Sequence, residues 1–274
     1  MKIFFISATI LGGVLILFVP IAASDQAHDT TIRINGYTPG VTPFISHLSL
    51  TASNTTVLKS IQFTIVPKPG SVSRPLSATY ANYYLVDRGL ENTQTGQIDL
   101  PVYGLYDGYA NTVTLTYRFF DGSSKQANFA IGTASFNNPC EYEHPTFLQP
   151  RTSTALSYDY IMVKTGCSNF APTIIDTDGA LRWVGTTNLS IDTATFFDNA
   201  AYLAYNSQLY RIELDGTFTM VSDYRNVGVR YFHHNIDRGK VGLILDANTQ
   251  DYFESVNIEV DPNSGAVLKT WNLA

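Results

Sequence analysis

Apolar and polar residues alternate in short runs through the first half of the chain. The clearest run is residues 60–66 (SIQFTIV), which Pro67 ends. Period-two alternation places every second side chain on the buried face of a β-sheet. Similar runs, separated by turn residues, occur at 32–35, 44–50, 98–102, 112–119 and 127–131. Strands at this spacing over about 100 residues predict an immunoglobulin-like β-sandwich.

The second half of the chain repeats one unit three times. Each unit is an apolar strand followed by a second strand, an acidic turn with a glycine, and a third strand. The turn glycines are Gly179, Gly216 and Gly265, at a spacing typical of β-propeller blades. Propellers usually close with about four to eight blades, and about three are present here. The pattern therefore predicts the first blades of a propeller and a chain that is the truncated, N-terminal part of a longer protein.

The predicted organisation has four parts. The first, residues 1–24, combines the basic Lys2, an apolar run and small residues before Asp25, a pattern typical of a cleaved signal peptide. The others are the sandwich at 30–133, a proline-rich linker at 134–150 and the propeller blades at 151–274. We expect a protein that is exported to the periplasm or secreted, and that contacts a membrane only if its N-terminal segment stays uncleaved.

Composition limits the classes of partner and site. The net charge of −6 argues against a nucleic-acid-binding surface. The two cysteines, Cys140 and Cys167, are expected to form a disulfide in an exported chain, worth about 3 kcal/mol by chain entropy. Two buried free thiols are the alternative. We expect no metal site.

A pair of adjacent histidines is the main candidate for chemistry. His233 and His234 precede a predicted strand at 240–246 and would reach the central channel, where propeller ligands bind. Strand alternation lets only one of two neighbours point inward. Imidazole transfers protons near neutral pH and, when protonated, binds anions. The flanking basic residues, which form either an anion-attracting mouth or an ordinary solvated surface, are Arg225, Arg230, Arg238 and Lys240.

Three segments resemble one protein family. Residues 101–115 (PVYGLYDGYANTVTL) are similar to the immunoglobulin-like domain of bacterial, exported arylsulfate sulfotransferases. His233-His234-Asn235 resembles the His-His-Asp motif that these proteins carry on a propeller strand. Residues 261–273 (DPNSGAVLKTWNL) resemble the end of one of their blades. The chain is identified as resembling the N-terminal half of such a protein.

The resemblance implies an all-β protein in which the sandwich precedes a six-bladed propeller. It also implies transfer of a sulfuryl group from a phenolic sulfate ester to a phenol through a sulfohistidine. The family is independent of the sulfate nucleotide PAPS, so no cofactor is expected. The partners are an aryl sulfate donor and a phenolic acceptor, and a homodimer is compatible with the family.

The resemblance further assigns roles to individual residues. His234, and after it His233, corresponds to a catalytic histidine that binds sulfate or protonates the leaving group. Asn235, which replaces the more common Asp, and Arg238 are the implied substrate contacts. The histidine that carries the sulfuryl group in the family would fall beyond Ala274. Two alternatives to an enzyme are a non-catalytic extracytoplasmic binding module and a decayed fragment.

Overall fold

Alternating apolar residues in the first half of the chain form strands that share a buried core. We analysed a computed structural model, which describes residues 27, 29–137, 146–149, 151–152, 158–164, 171–187, 189 and 193–273. The elements of the first half are β1 (Ile32–Pro39), β2 (Ile45–Ala52), β3 (Leu58–Ile65), β4 (Leu76–Ala81), α1 (Asn82–Asp87), β5 (Glu91–Asn92), β6 (Gln97–Tyr103), β7 (Ala110–Phe119) and β8 (Ser124–Gly132).

These strands form two antiparallel sheets that face each other, in the orders β1-β2-β6-β5 and β4-β3-β7-β8. On β3 and β7, Phe63 pairs with Leu115, and both are fully buried between the sheets. Burying a side chain of this size stabilises the fold by about 1.5–3 kcal/mol. All six predicted strands are present. The sequence pattern did not reveal β4, an edge strand of the second sheet.

The second half contains three further antiparallel sheets. Its strands are β9 (Tyr160–Val163), β10 (Ala171–Asp176), β11 (Leu181–Thr187), β12 (Ala194–Phe197), β13 (Ala200–Tyr205), β14 (Gln208–Glu213), β15 (Phe218–Asp223), β16 (Val229–Arg238), β17 (Leu243–Thr249), β18 (Val256–Val260) and β19 (Val267–Asn272). Strands β9–β11 form a three-stranded sheet, and β12–β15 and β16–β19 form four-stranded sheets whose strands pair in chain order.

The three acidic turns of the predicted repeat are confirmed. They join β10 to β11, β14 to β15 and β18 to β19. Gly179, Gly216 and Gly265 lie in these turns with φ of 85°, 90° and 71°, a conformation that residues with a side chain rarely adopt. The protein is all-β, as predicted. The described residues do not close into a ring of sheets, and the propeller stays a prediction.

A buried polar cluster joins the sandwich to the first sheet of the second half. Arg182 on β11 is only 2% exposed. Its Nε and Nη2 donate to the carbonyl oxygen of Gly104 at 3.0 and 2.7 Å, and its Nη1 donates to Asp176 Oδ2 at 3.1 Å. Burial raises the pKa of Asp176, while the charge of Arg182 opposes that rise. We call Arg182, Asp176 and the Gly104 carbonyl the interdomain cluster.

A second set of charges lies beside the interdomain cluster. Asp159, just before β9, accepts hydrogen bonds from Arg74 Nε at 2.5 Å and from Arg151 Nη1 at 2.6 Å. Burial acts to raise the pKa of Asp159, but the hydrogen bonds from Arg151 and Arg74 outweigh it, and the pKa lies below its usual range. Because Arg74 belongs to the β3–β4 connection, this contact also ties the sandwich to the second half.

Several sequence predictions fall on parts of the chain outside the described residues. They include the signal peptide at 1–24, both cysteines of the expected disulfide, Cys140 and Cys167, and most of the linker at 134–150. Within the described part of the chain, no helix is long and apolar enough to cross a membrane.

Candidate functional site

The histidine pair lies on β16, the first strand of the last four-stranded sheet. This position corrects the sequence prediction, which placed the pair before a strand at 240–246. The next strand, β17, begins only at Leu243. On β16 the buried residues are Val229, Phe232 and Ile236, at intervals of three and four rather than two. An alternating pattern therefore could not identify this strand.

A large bulge in β16 explains the irregular spacing. Phe232 pairs with Ala247 and Ile236 pairs with Leu245, so that residues 233–235 stand opposite the single residue 246. Bulges bend a strand and redirect its side chains, and they are frequent beside active sites.

The bulge places both histidines on one groove. The rings of His233 and His234 lie 4.6 Å apart between centroids, at an angle of 89°, and both line the same cavity. The expectation that only one of the two could point inward was wrong. Alternation holds for extended backbone, whereas His234 has a φ of 60° in the left-handed region. This conformation costs about 1–2 kcal/mol for a residue with a side chain.

Glu254, from the β17–β18 loop, completes the cluster. His234 Nε2 and Glu254 Oε1 are 3.3 Å apart. Glu254 also has a left-handed backbone, with φ of 55°, and its N–H donates to Oδ1 of the buried Asn248 at 2.6 Å. The other described non-glycine residues with positive φ are Asp or Asn. Asn, Asp and His are enriched in this conformation, so Glu254 is the more unusual member of the pair. Backbone strain at two residues in mutual contact indicates a functional constraint.

The ring nitrogens of His233 are shielded from solvent but make no hydrogen bond with the described residues. Its ring is parallel within 12° to that of Phe253, at 6.4 Å between centroids, and Tyr231 approaches edge-on, also at 6.4 Å. Both ring nitrogens are screened from solvent and have no hydrogen-bond partner among the described residues. Leaving a buried polar group without a partner costs about 1–3 kcal/mol. The imidazole of His233 therefore has unused capacity to bind another group.

An open groove of about 860 Å³ lies in front of the cluster. Its lining combines aromatic rings, one basic side chain and small polar groups: Lys164, Thr193, Ala204, Tyr205, Asn206, Tyr231, Phe232, His233, His234 and Asn235. Lys164 follows β9, so residues from the first and third of these sheets meet here. Aromatic and cationic groups around two imidazoles suit a flat molecule with a negative charge. We call this cavity the histidine groove.

The structure brings some predicted site residues together and separates others. Asn235 lines the histidine groove with the two histidines. Arg238 lies at the other end of β16, where its guanidinium is 5.5 Å from the Phe197 ring centroid, in a separate cavity. Arg225 pairs with Asp223 at 2.5 Å. Among the described residues that line the groove, the basic charge comes from Lys164 rather than from the arginines that flank the pair in sequence.

Two residues of the candidate site escaped sequence reasoning: Lys164, which lines the groove, and Glu254, which contacts His234. They are far from the histidine pair along the chain, and neither belongs to a motif. The packing of neighbouring sheets brings Lys164 to the groove, and the course of the β17–β18 loop brings Glu254 to His234.

Comparisons with known proteins agree with the two halves of the fold. A family model described as the arylsulfotransferase Ig-like domain matches residues 32–134, and a second, described as arylsulfotransferase (ASST), matches residues 149–274. A search of curated proteins finds no match. The two family models together cover the sandwich and all three repeat sheets, including the histidine groove. The chain therefore belongs to the arylsulfotransferase family.

Proposed function

We propose that this chain takes part in transferring a sulfuryl group from a phenolic sulfate ester to a phenol, and that the histidine groove binds the donor. The observation that carries the proposal is the convergence of His233, His234 and Lys164 on one aromatic-lined groove in a member of the arylsulfotransferase family. In this proposal the aromatic ring of the donor packs against Tyr205 and Tyr231. Its sulfuryl oxygens face Lys164 and the imidazoles.

The first half-reaction breaks the ester bond of the donor. A nucleophilic histidine nitrogen attacks sulfur, an S–N bond forms, and the S–O bond to the aryl group breaks with its electron pair leaving on the phenolate. We assign to His234 the proton that this phenolate receives, rather than the nucleophilic attack. Glu254 Oε1 lies 3.3 Å from His234 Nε2, within reach of a hydrogen bond that orients the imidazole.

The second half-reaction restores the enzyme. The acceptor phenol gives its proton to His234, its oxygen attacks sulfur, and the S–N bond breaks with its electrons returning to the histidine nitrogen. Charges on the sulfuryl oxygens are balanced in both steps by Lys164. Because the ester itself supplies the sulfuryl group, PAPS is not required.

The proposal can be tested by the dependence of the rate on the leaving group. We would compare phenyl sulfate with para-nitrophenyl sulfate as donors for the native protein that carries this chain, without PAPS. Replacing a general acid slows transfer about 10²–10⁴-fold. With phenyl sulfate, the transfer rate of His234→Gln should fall by nearly this factor. With para-nitrophenyl sulfate the rate should fall much less, because nitrophenolate departs without a proton.

A matched control is His47→Gln. His47 lies 3.2 Å from Asp99 on the sandwich, far from the groove in sequence, and offers the same histidine–carboxylate chemistry. This variant should keep wild-type transfer with both donors. Equal losses with the two donors would contradict the role of His234 as the acid, and absence of transfer by the wild-type protein would contradict the proposed function itself.

We also propose that the protein acts outside the cytoplasm and that Cys140 and Cys167 form a disulfide there. The apolar segment before residue 25 and the even number of cysteines support both points. Mass spectrometry of the native protein, with and without reduction, tests them: the mass should correspond to a chain lacking residues 1–24 and should rise by two hydrogens on reduction.

A further inference from the structure

We propose that His233, His234 and Glu254 form a binding site for a divalent transition-metal ion such as Zn²⁺. One ligand atom from each of the three side chains lies within 4.8 Å of the other two. Imidazole nitrogen and carboxylate oxygen are common zinc ligands, and two histidines with one carboxylate are a frequent set of three. Sequence reasoning predicted no metal site and did not connect Glu254 with the histidine pair, because Glu254 lies 20 residues beyond His234.

The distances are close to those of a metal centre. Zinc–ligand bonds of about 2.0–2.1 Å in tetrahedral geometry put neighbouring ligand atoms about 3.3 Å apart. His234 Nε2 and Glu254 Oε1 already have this separation, 3.3 Å. No two of the three ligand atoms are more than 4.8 Å apart, so the cluster exceeds the tetrahedral separation by at most about 1.5 Å. Rotation of the exposed His234 and Glu254 side chains, which are 64% and 49% exposed, can close this difference.

The backbone holds the ligands near each other before any ion binds. The bulge at residues 233–235 turns both imidazoles to one side, and the left-handed conformations of His234 and Glu254 aim their side chains at each other. The hydrogen bond from Glu254 N–H to the buried Asn248 fixes the loop. A ligand set that is arranged in advance loses less conformational entropy on binding.

The unpartnered state of His233 is a second, independent observation. Both of its nitrogens lack a hydrogen-bond partner among the described residues and are shielded from water. A neutral imidazole in this state can donate an electron pair to a metal without first displacing a protein partner. Coordination would thus give a partner to a buried nitrogen of His233 that otherwise makes no hydrogen bond with the described residues.

The ligand set also predicts which ions bind. Imidazole ligands favour Zn²⁺, Cu²⁺, Ni²⁺ and Co²⁺, whereas Mg²⁺ and Ca²⁺ prefer sites made of oxygen alone. Three protein ligands leave a fourth tetrahedral position, which in zinc proteins holds water or another small ligand. Metal binding would occupy the nitrogen of His234 that we assign to proton transfer. We therefore expect Zn²⁺ to inhibit sulfuryl transfer.

The experiment is isothermal titration of ZnCl₂ into the tag-free native protein after treatment with a chelator. The wild-type protein should bind one ion at this site, and His234→Gln and Glu254→Gln should each weaken binding at least about 10-fold, since even the loss of an outer partner of a ligand costs that much. His47→Gln should bind as the wild type does, and MgCl₂ should give no saturable binding. Circular dichroism checks that each variant is folded.

Binding is measured without turnover, so its outcome is separate from that of the sulfuryl-transfer test. Visible absorption of the Co²⁺-loaded protein provides a second measurement, because tetrahedral Co²⁺ absorbs far more strongly than hydrated Co²⁺. Wild-type affinity for Zn²⁺ in both His234→Gln and Glu254→Gln would overturn the proposal. Absence of saturable Zn²⁺ binding by the wild-type protein would overturn it as well.

Discussion

Two polar clusters of this chain are built in opposite ways. In the interdomain cluster, Arg182 is almost fully buried, and Asp176 and the Gly104 carbonyl accept its hydrogen bonds. In the cluster of His233, His234 and Glu254 at the histidine groove, His234 and Glu254 are largely exposed and lie on left-handed backbone, and the nitrogens of His233 have no partner among the described residues. The interdomain cluster is buried and fully hydrogen-bonded, whereas the histidine cluster has left-handed backbone and lacks hydrogen-bond partners at His233.

The difference separates stability from function. Buried charges are tolerated when every donor and acceptor is paired, and breaking such a pair is expensive. Exposed groups contribute little to stability and a shielded group without a partner lowers it, but both can still contact a ligand. We therefore expect changes in the interdomain cluster to affect unfolding, and changes in the histidine groove to affect binding and transfer.

The largest effect is expected for Arg182→Met. The substitution keeps much of the side-chain volume but leaves Asp176 and the Gly104 carbonyl buried without their main partner. Breaking a buried ion pair on one side lowers the free energy of unfolding by about 3–5 kcal/mol. Urea denaturation followed by tryptophan fluorescence measures this change, because Trp183 is the neighbour of Arg182 and is buried.

Arg225→Met is the matched control for that substitution. Arg225 also pairs with an aspartate, Asp223, at 2.5 Å, but it is 72% exposed. Solvent screens an exposed pair, so its contribution to stability is small and its removal should change the free energy of unfolding far less. Similar losses in the two variants would contradict the view that burial makes the interdomain cluster important.

The next effect is a change in acid sensitivity for Asp159→Asn. The hydrogen bonds from Arg151 and Arg74 hold the pKa of Asp159 below its ordinary value of 3.8 in the folded protein. A depressed pKa stabilises the fold at higher pH, and this contribution is lost as the pH falls below 3.8 toward the folded value. The variant should be less stable than the wild type at neutral pH, and the gap should narrow on acidification. Urea unfolding at a series of pH values tests this, and a constant gap would contradict it.

A smaller effect of opposite sign is expected for His234→Gly. Glycine adopts a φ of 60° without the penalty of about 1–2 kcal/mol that a side chain brings, although it adds about 0.5–1 kcal/mol of unfolded-state entropy. The free energy of unfolding should therefore rise by up to about 1.5 kcal/mol, while transfer from phenyl sulfate slows about 10²–10⁴-fold. His234→Ala, which keeps the strain, is the control. A destabilised glycine variant would show that the left-handed conformation is not a source of strain.

The smallest effect is expected for Arg238→Met. Sequence reasoning made Arg238 a substrate contact, but its guanidinium lies over Phe197 in a separate cavity. Its removal should leave the KM for para-nitrophenyl sulfate within about twofold of wild type, because an uncoupled surface change is worth within about 0.5 kcal/mol. A KM raised as much as in Lys164→Met would restore Arg238 to the site.

Sequence reasoning was most successful where one face of a strand is buried. The alternating run that became β3 and the three glycine turns of the repeat were located from local pattern alone. It missed the edge strand β4, and it failed for β16, whose bulges break the two-residue period. The candidate site was found only in part: His233, His234 and Asn235 adjoin in sequence, whereas Lys164 and Glu254 come from distant elements.

The sequence by itself determined the all-β class, the order of sandwich and repeats, and the motifs shared with the arylsulfotransferase family. These properties depend on local alternation and on glycines that tolerate positive φ. Tertiary structure alone decided that both imidazoles share one groove, that Glu254 meets His234 and that Arg238 does not join them. The reason is physical: a two-residue period fixes which face of a regular strand is buried. The direction of side chains at a bulge instead depends on backbone conformations stabilised by contacts with residues far away in the chain.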